Sequence, residues 1–318
     1  MKRRIGSICI IVFVFAVAAG ATVILRRSYA GTGTESISIL EEPTENVTYL
    51  TDIQYQEMDT DNCYLDVAYL DDRKKKPLLL FVHGGSWIGG NKEEMNAFLY
   101  TFSEMGYTVA SIDYDLLYLP GALQGRCVSI AEEEACVAAA AEYLTEHAEE
   151  YQIDTSRVIL IGHSSGGQLA GRLAERIADH PEDYEFQLGG VVLLAAPSDL
   201  RYYLYNNSYI EGLDFSLVKL SFIFDGVYGT DVLPEINKVD VLYNITENLP
   251  PVLILHGSDD ALVPVSLSQN LYVELQSKGV IAELELIQGA GHNILDNEEV
   301  FSELNRFLKQ YILDDKEE

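Results

Sequence analysis

The sequence predicts an α/β architecture, a mostly parallel central sheet with helices on both faces. Three observations carry that prediction. From about residue 48 onward, short Val/Ile/Leu-rich runs alternate with longer helix-like stretches, the order that strand–helix–strand crossovers impose. Several runs, PLLLFV, RVILIG, GVVLLAA and PVLILH, are continuously apolar, as in strands covered on both faces. The 318 residues are 48% hydrophobic, enough to bury a substantial core.

In chain order the strand-like runs are NVTYLTDIQY, CYLDVAYL, PLLLFV, YTVASIDY, RVILIG, GVVLLAA, PVLILH and IAELELI. Helix-like stretches separate them: KEEMNAFLYTFSEMG, SIAEEEACVAAAAEYLTEHAEEY, GGQLAGRLAERIADH and SLSQNLYVELQSKG, with NEEVFSELNRFLKQYIL after the last strand. The segment from about Ser198 to Asn248 is long for a connection and is expected to form a cap over the carboxyl ends of the strands. It holds Tyr202, Tyr203, Tyr205, Tyr209, Phe215, Phe222, Phe224 and Tyr228. Such side chains can line a ligand site or simply pack the cap onto the body. No internal repeat is visible.

Residues 1–27 read as a membrane-targeting element. Lys2, Arg3 and Arg4 precede Ile5–Leu25, 21 residues without a charge, which as a helix rising about 1.5 Å per residue could span a hydrocarbon layer of roughly 30 Å. Both an uncleaved anchor and a cleaved signal peptide fit, and both export the rest of the chain. Residues 28–47 are polar, with GTGTES and EEPTEN, and read as a flexible linker to a folded domain over residues 48–318. The expected location is therefore extracytoplasmic, membrane-anchored or secreted.

Charge excludes one class of partner. The net charge is −29, with 21 basic and 50 acidic residues. Five of the basic residues fall in the first 27 positions, so the remainder sets 16 against 50 acids. Such a surface repels phosphate backbones, and a nucleic-acid partner is not expected. Beyond Cys9 in the apolar run, Cys63, Cys127 and Cys136 lack CxxC spacing and signal no zinc site or disulfide framework. They read as buried thiols, with a Cys127–Cys136 bridge as the alternative in an exported chain. HExxH and GxxxxGK[ST] are missing, and no metal or organic cofactor is called for.

Four signals fall at the carboxyl ends of strands, where ligands collect in such sheets. Gly162-His163-Ser164-Ser165-Gly166 follows RVILIG and opens a helix-like run. A G-x-S-x-G turn there forces its central serine into a strained backbone and lifts the hydroxyl above the sheet. The plainer reading is a helix start capped by Ser164 or Ser165. His83-Gly84-Gly85-Ser86-Trp87 follows PLLLFV, and its glycine amides, with that of Ser165, could bind a developing oxyanion. Asp260 follows PVLILH and His292 follows IAELELI. Asp259 and Asp260 also suit a helix start, and His292 a surface loop. Among the other histidines, His147 and His180 sit on or at the end of helices, His163 lies inside the serine turn and His256 closes a strand.

HGGSWIGGNK, VASIDYDL, IDTSRVILIGHSSGGQLA, LPPVLILHGSDDALVP and GAGH, in that order, resemble α/β-hydrolase esterases of the hormone-sensitive-lipase-like and feruloyl-esterase-like branches. The resemblance implies the α/β-hydrolase fold and a catalytic triad of Ser164, Asp260 and His292, with Gly84, Gly85 and Ser165 as the oxyanion hole. The family's H-G-x-x-D-x-x-V-P pattern selects Asp260 over Asp259. Two positions depart from the family. Ser86 replaces the third glycine of HGGG, and Asp115 stands where an arginine usually follows the tyrosine of the DYR segment. The function expected is a serine carboxylesterase acting on a small-molecule, short-acyl ester. A peptidase or amidase with the same triad, or a catalytically silent extracellular binding module, are the alternatives.

Overall fold

The computed structural model describes residues 37–56, 63–116, 129–202, 209–210, 213–214 and 232–313. The expected membrane segment lies outside them. Among the described residues no helix is long and apolar enough to cross a membrane.

The folded unit starts at Ile37. Within the stretch read as a linker from sequence, Ile37, Ile39 and Leu40 pack on the core and the Leu40 amide donates to Thr101 Oγ1 at 3.0 Å. The three apolar side chains are half-buried, so each contributes a fraction of the roughly 1.5–3 kcal/mol that full burial would give.

The strands are β1 (Val47–Gln54), β2 (Tyr64–Leu70), β3 (Lys76–Val82), β4 (Thr108–Ile112), β5 (Ile153–His163), β6 (Leu188–Leu194), β9 (Val252–Gly257) and β10 (Ala282–Ile287). They form one sheet in the order β1-β2-β4-β3-β5-β6-β9-β10. All pairings from β4 to β10 are parallel, while β1–β2 and β2–β4 are antiparallel. Two antiparallel strands of two residues each, β7 (Tyr209–Ile210) and β8 (Leu213–Asp214), lie within the segment expected to be the cap. The helices are α1 (Asn96–Glu104), α2 (Ile130–Glu146), α3 (Ser165–Asp179), α4 (Val232–Val239), α5 (Val241–Asn244), α6 (Val265–Ser277) and α7 (Glu298–Leu308).

The continuous apolar runs arise because successive side chains point to opposite faces and both faces are covered. In β3, Leu78, Leu80 and Val82 enter the core built with α2, α3 and α6, whereas Leu79 and Phe81 enter that built with α1 and α7. On α7, Val300, Phe301, Leu304, Phe307 and Leu308 are buried, the stripe that a 3.6-residue period places on one side. Phe301 stacks on Phe98 of α1 with ring centroids 4.2 Å apart. Helix α2 begins with a capping box in which Ser129 and Glu132 satisfy each other's amides.

The base of the cap segment is tied down where it is described. Buried Asp240 accepts from the amides of Leu200 and Tyr243, both at 2.7 Å, and Ser198 Oγ donates to the Leu267 carbonyl.

Candidate active site

Parallel pairing places the carboxyl ends of β3, β5, β9 and β10 at one edge of the sheet, and the four sequence signals follow those ends. The turn after β5 requires both of its glycines. A Cβ on Gly162 would stand 2.2 Å from the Gly166 carbonyl oxygen, and one on Gly166 would stand 2.2 Å from that of His83. Squeezed between them, Ser164 takes φ 52 and ψ −123, a conformation costing roughly 1–3 kcal/mol for a residue with a side chain. The turn is held by the Ser164 amide donating to the Leu194 carbonyl at 2.8 Å, while its own carbonyl accepts from Gly167 at 2.9 Å.

The Ser164 hydroxyl faces His292: Oγ and Nε2 are 2.9 Å apart. On the far side of the ring, Nδ1 is 2.7 Å from Asp260 Oδ2. Asp260 Oδ1 accepts from the amides of Leu262 and Val263 at 2.8 and 2.9 Å. Burial pushes the Asp260 carboxyl up, but hydrogen bonds from His256, His292 and the Val263 amide outweigh it and hold the group well below the usual carboxylate range. An ionised Asp260 fixes the proton of His292 on Nδ1 and leaves Nε2 to accept from Ser164. Asp259 is exposed, and its carboxylate accepts from the Ser258 hydroxyl instead.

Gly84 lies against the serine, since a Cβ there would be 3.0 Å from Ser164 Cβ and 2.9 Å from His163 Nδ1. Gly85 adopts φ +130. Ser165 begins α3, so its N–H belongs to the unpaired first turn of a helix. Among the described residues none of these three amides donates to a backbone carbonyl outside regular helices and strands.

The glycine loop is braced from several directions. The Tyr114 ring stacks on His83 at 4.4 Å and its hydroxyl donates to the His83 carbonyl at 2.9 Å. The Trp87 indole donates to Gln168 Oε1 at 2.9 Å, and Gln168 Nε2 donates to the Val239 carbonyl, linking the loop to α3 and α4. Buried Lys92 reaches Asp52, Asp66, Glu93 and Asp113, while its amide donates to Asp113 Oδ1 at 2.8 Å. His83 Nδ1 lies 2.7 Å from the Gly84 carbonyl, and burial pushes the imidazole down to about 4, so it is neutral. His163 is likewise lowered to about 4, by burial and then by neighbouring His292.

The sequence reading gave no role to His256. Its Nε2 is 2.9 Å from the Val263 carbonyl and 3.0 Å from Asp260 Oδ2, and Ser268 Oγ is 2.7 Å from Nδ1. With the serine hydroxyl donating to Nδ1, the Nε2 proton is shared between carbonyl and carboxylate. The only signal available was the four-residue separation of His256 and Asp260. His147 and His180 are far from this edge in the chain's own elements, at the ends of α2 and α3.

Known proteins resemble this chain in sequence and in fold. Probable isoprenylcysteine alpha-carbonyl methylesterase ICMEL1 of Arabidopsis thaliana is 26% identical over 239 residues, covering 69% of this chain and 46% of that protein. Esterase LipC of Mycobacterium tuberculosis is 26% identical over 231 residues, covering 69% of this chain and 53% of LipC. The chain thus spans about half the length of these curated relatives. Among solved structures, esterase B from Lactobacillus rhamnosis matches with a TM-score of 0.69 and 19% identity over 95% of this chain and 96% of that one. A truncated carbohydrate esterase from gut microbiota matches at 0.67 and 19% identity over 85% and 98%. At these identities the likeness speaks for the fold, which is the α/β-hydrolase fold. The BD-FAE family model covers residues 65–275, from β2 into α6 and well over half of the sequence, and this chain belongs to the BD-FAE family.

Proposed function

We propose that this protein is a serine carboxylesterase that hydrolyses small, short-acyl esters through an acyl-enzyme on Ser164. The observation that carries the reading is the single imidazole of His292 bridging a hydroxyl at 2.9 Å and a buried carboxylate at 2.7 Å. His292 Nε2 takes the Ser164 proton as Oγ attacks the ester carbonyl, and Asp260 stabilises the imidazolium. The amides of Gly84, Gly85 and Ser165 face the oxygen that becomes negative, each worth about 2.7–4 kcal/mol to the transition state. Collapse of the tetrahedral intermediate expels the alcohol, which leaves with the proton from His292. Water then attacks the acyl-enzyme with the same imidazole as base.

Names among the relatives support an ester substrate with a small group: a methylesterase and an acetyl esterase of Salmonella schwarzengrund, 25% identical over 71% of this chain. The acidic surface disfavours anionic substrates. Of the cap aromatics, Tyr202 packs against the core, and the side chains of the other seven lie outside the described residues. The uncharged Ile5–Leu25 run after a basic start supports export of the catalytic domain, anchored or released.

The test is a panel of p-nitrophenyl esters from acetyl to dodecanoyl set beside aminoacyl anilides, with Ser164→Ala as control. The proposal expects fastest turnover of the shortest esters, weak anilide cleavage, and no turnover in the variant. Faster anilide than ester cleavage would make the protein an amidase, and absence of both activities would make it a binding module.

A further inference from the structure

Three buried groups take no part in this chemistry: Cys63 ahead of β2, Asp115 shortly after β4, and Cys136 on α2. They are 1%, 1% and 2% exposed, and both cysteines are free. Their two sulfurs and a carboxylate oxygen all lie within 4.8 Å of one another. We propose that Cys63, Asp115 and Cys136 form a binding site for a soft divalent cation of the zinc type.

The donor set and spacing carry the proposal. Zinc bonds are about 2.3 Å to sulfur and about 2.0–2.2 Å to oxygen, which puts tetrahedral ligand atoms about 3.5–3.8 Å apart. Donors already within 4.8 Å of one another need close by only about 1 Å to reach that spacing. Two thiolates and a carboxylate carry three negative charges, and a divalent cation brings that buried set down to a net −1. Two sulfurs select zinc or a similar soft ion over magnesium and calcium, which need oxygen ligands. The surroundings suit ligand sulfurs as well. The Asp115 amide hydrogen-bonds Cys136 Sγ, and the Tyr55 hydroxyl, which donates to the Asp113 carbonyl at 2.7 Å, also contacts Cys63 Sγ; such contacts orient metal ligands. Among the described residues no fourth His, Cys, Asp or Glu joins the three, so water or a backbone oxygen completes the tetrahedron. A bound cation would fasten the start of β2 and the end of β4 to α2, next to Tyr114, whose ring stacks on His83. It would thereby stiffen the glycine loop.

The site is tested with the reduced, full-length protein stripped by chelator and titrated with Co²⁺ and then Zn²⁺ against a chromophoric competitor. One equivalent of Co²⁺ should bind with a thiolate charge-transfer band that Zn²⁺ abolishes, with zinc binding tighter than about 1 μM. Cys63→Ser and Cys136→Ser, checked for native circular dichroism, should lose the band and weaken zinc binding more than about 100-fold. Should those variants not fold, alkylation mapping of the unaltered protein decides: Zn²⁺ must slow modification of both Cys63 and Cys136. No metal uptake, a thiolate band surviving Cys63→Ser, or equal alkylation with and without Zn²⁺ would overturn the proposal. Uptake is read without substrate, so its failure leaves the esterase reading untouched.

Discussion

Replacing Asp260 by Asn changes one heavy atom and, by the geometry above, is expected to disable the proposed base. The carboxylate has four donors: two amides on Oδ1, and His292 and His256 on Oδ2. An asparagine has one acceptor oxygen. If that oxygen keeps the Leu262 and Val263 amides, the new NH₂ points at His292 Nδ1 and donates to it. His292 must then carry its proton on Nε2, where it faces Ser164 Oγ and cannot accept. The flipped amide would set its NH₂ against two backbone donors and is disfavoured. The wrong tautomer is expected to lower kcat/KM about 10,000-fold, or about 5.4 kcal/mol at 1.36 kcal/mol per decade. The assay is p-nitrophenyl acetate hydrolysis from pH 7 to 9, with thermal melting confirming a folded variant. A folded Asp260→Asn protein retaining more than a tenth of wild-type kcat/KM would refute the tautomer argument.

Lys92→Met removes the cation beside buried Asp66, 3.4 Å away, and should cost about 3 kcal/mol in urea unfolding; a loss under 1 kcal/mol would mean that the cluster is solvated. Ser86 sits at φ 55, so Ser86→Gly should be neutral or stabilising by up to about 1 kcal/mol, whereas Ser86→Val should cost about 2 kcal/mol. His83 and His163 titrate near 4 in the folded protein and near 6.5 when unfolded. Between those values the unfolded chain binds protons that the native state does not. Stability should therefore fall on acidification, by up to about 1.4 kcal/mol per pH unit for each histidine, and a flat urea midpoint over that window would contradict their burial as neutral groups.

Much of this could be read in the sequence, for identifiable reasons. Strands covered on both faces print as unbroken apolar runs, so β3, β5, β6 and β9 were visible; β1 and β2, the antiparallel edge, were equally visible as strands but not as antiparallel. The serine turn was visible because only glycine tolerates the 2.2 Å approaches at Gly162 and Gly166. Choosing Asp260 over its neighbour needed the family pattern, since nothing local distinguishes two adjacent acids until one is buried against His292. Long-range contacts stayed hidden. The contacts of Ile37, Ile39 and Leu40 depend on a core surface and on Thr101 of α1, far away in the chain. Cys63, Asp115 and Cys136 are brought together by three separate elements, so their spacing in the chain carries no signal. Cys127, the other half of the bridge considered from sequence, lies outside the described residues, while Cys136 has Cys63 as its neighbour.

The central claim is that the hydroxyl of Ser164 is the nucleophile. The most direct measurement is to label the full-length protein with a fluorophosphonate, digest it, and locate the adduct by mass spectrometry. The account predicts one adduct per chain on the peptide holding Ser164, none in Ser164→Ala, and slowed labelling in His292→Ala. An adduct on another residue, or a labelled Ser164→Ala protein that still hydrolyses esters at the wild-type rate, would contradict it.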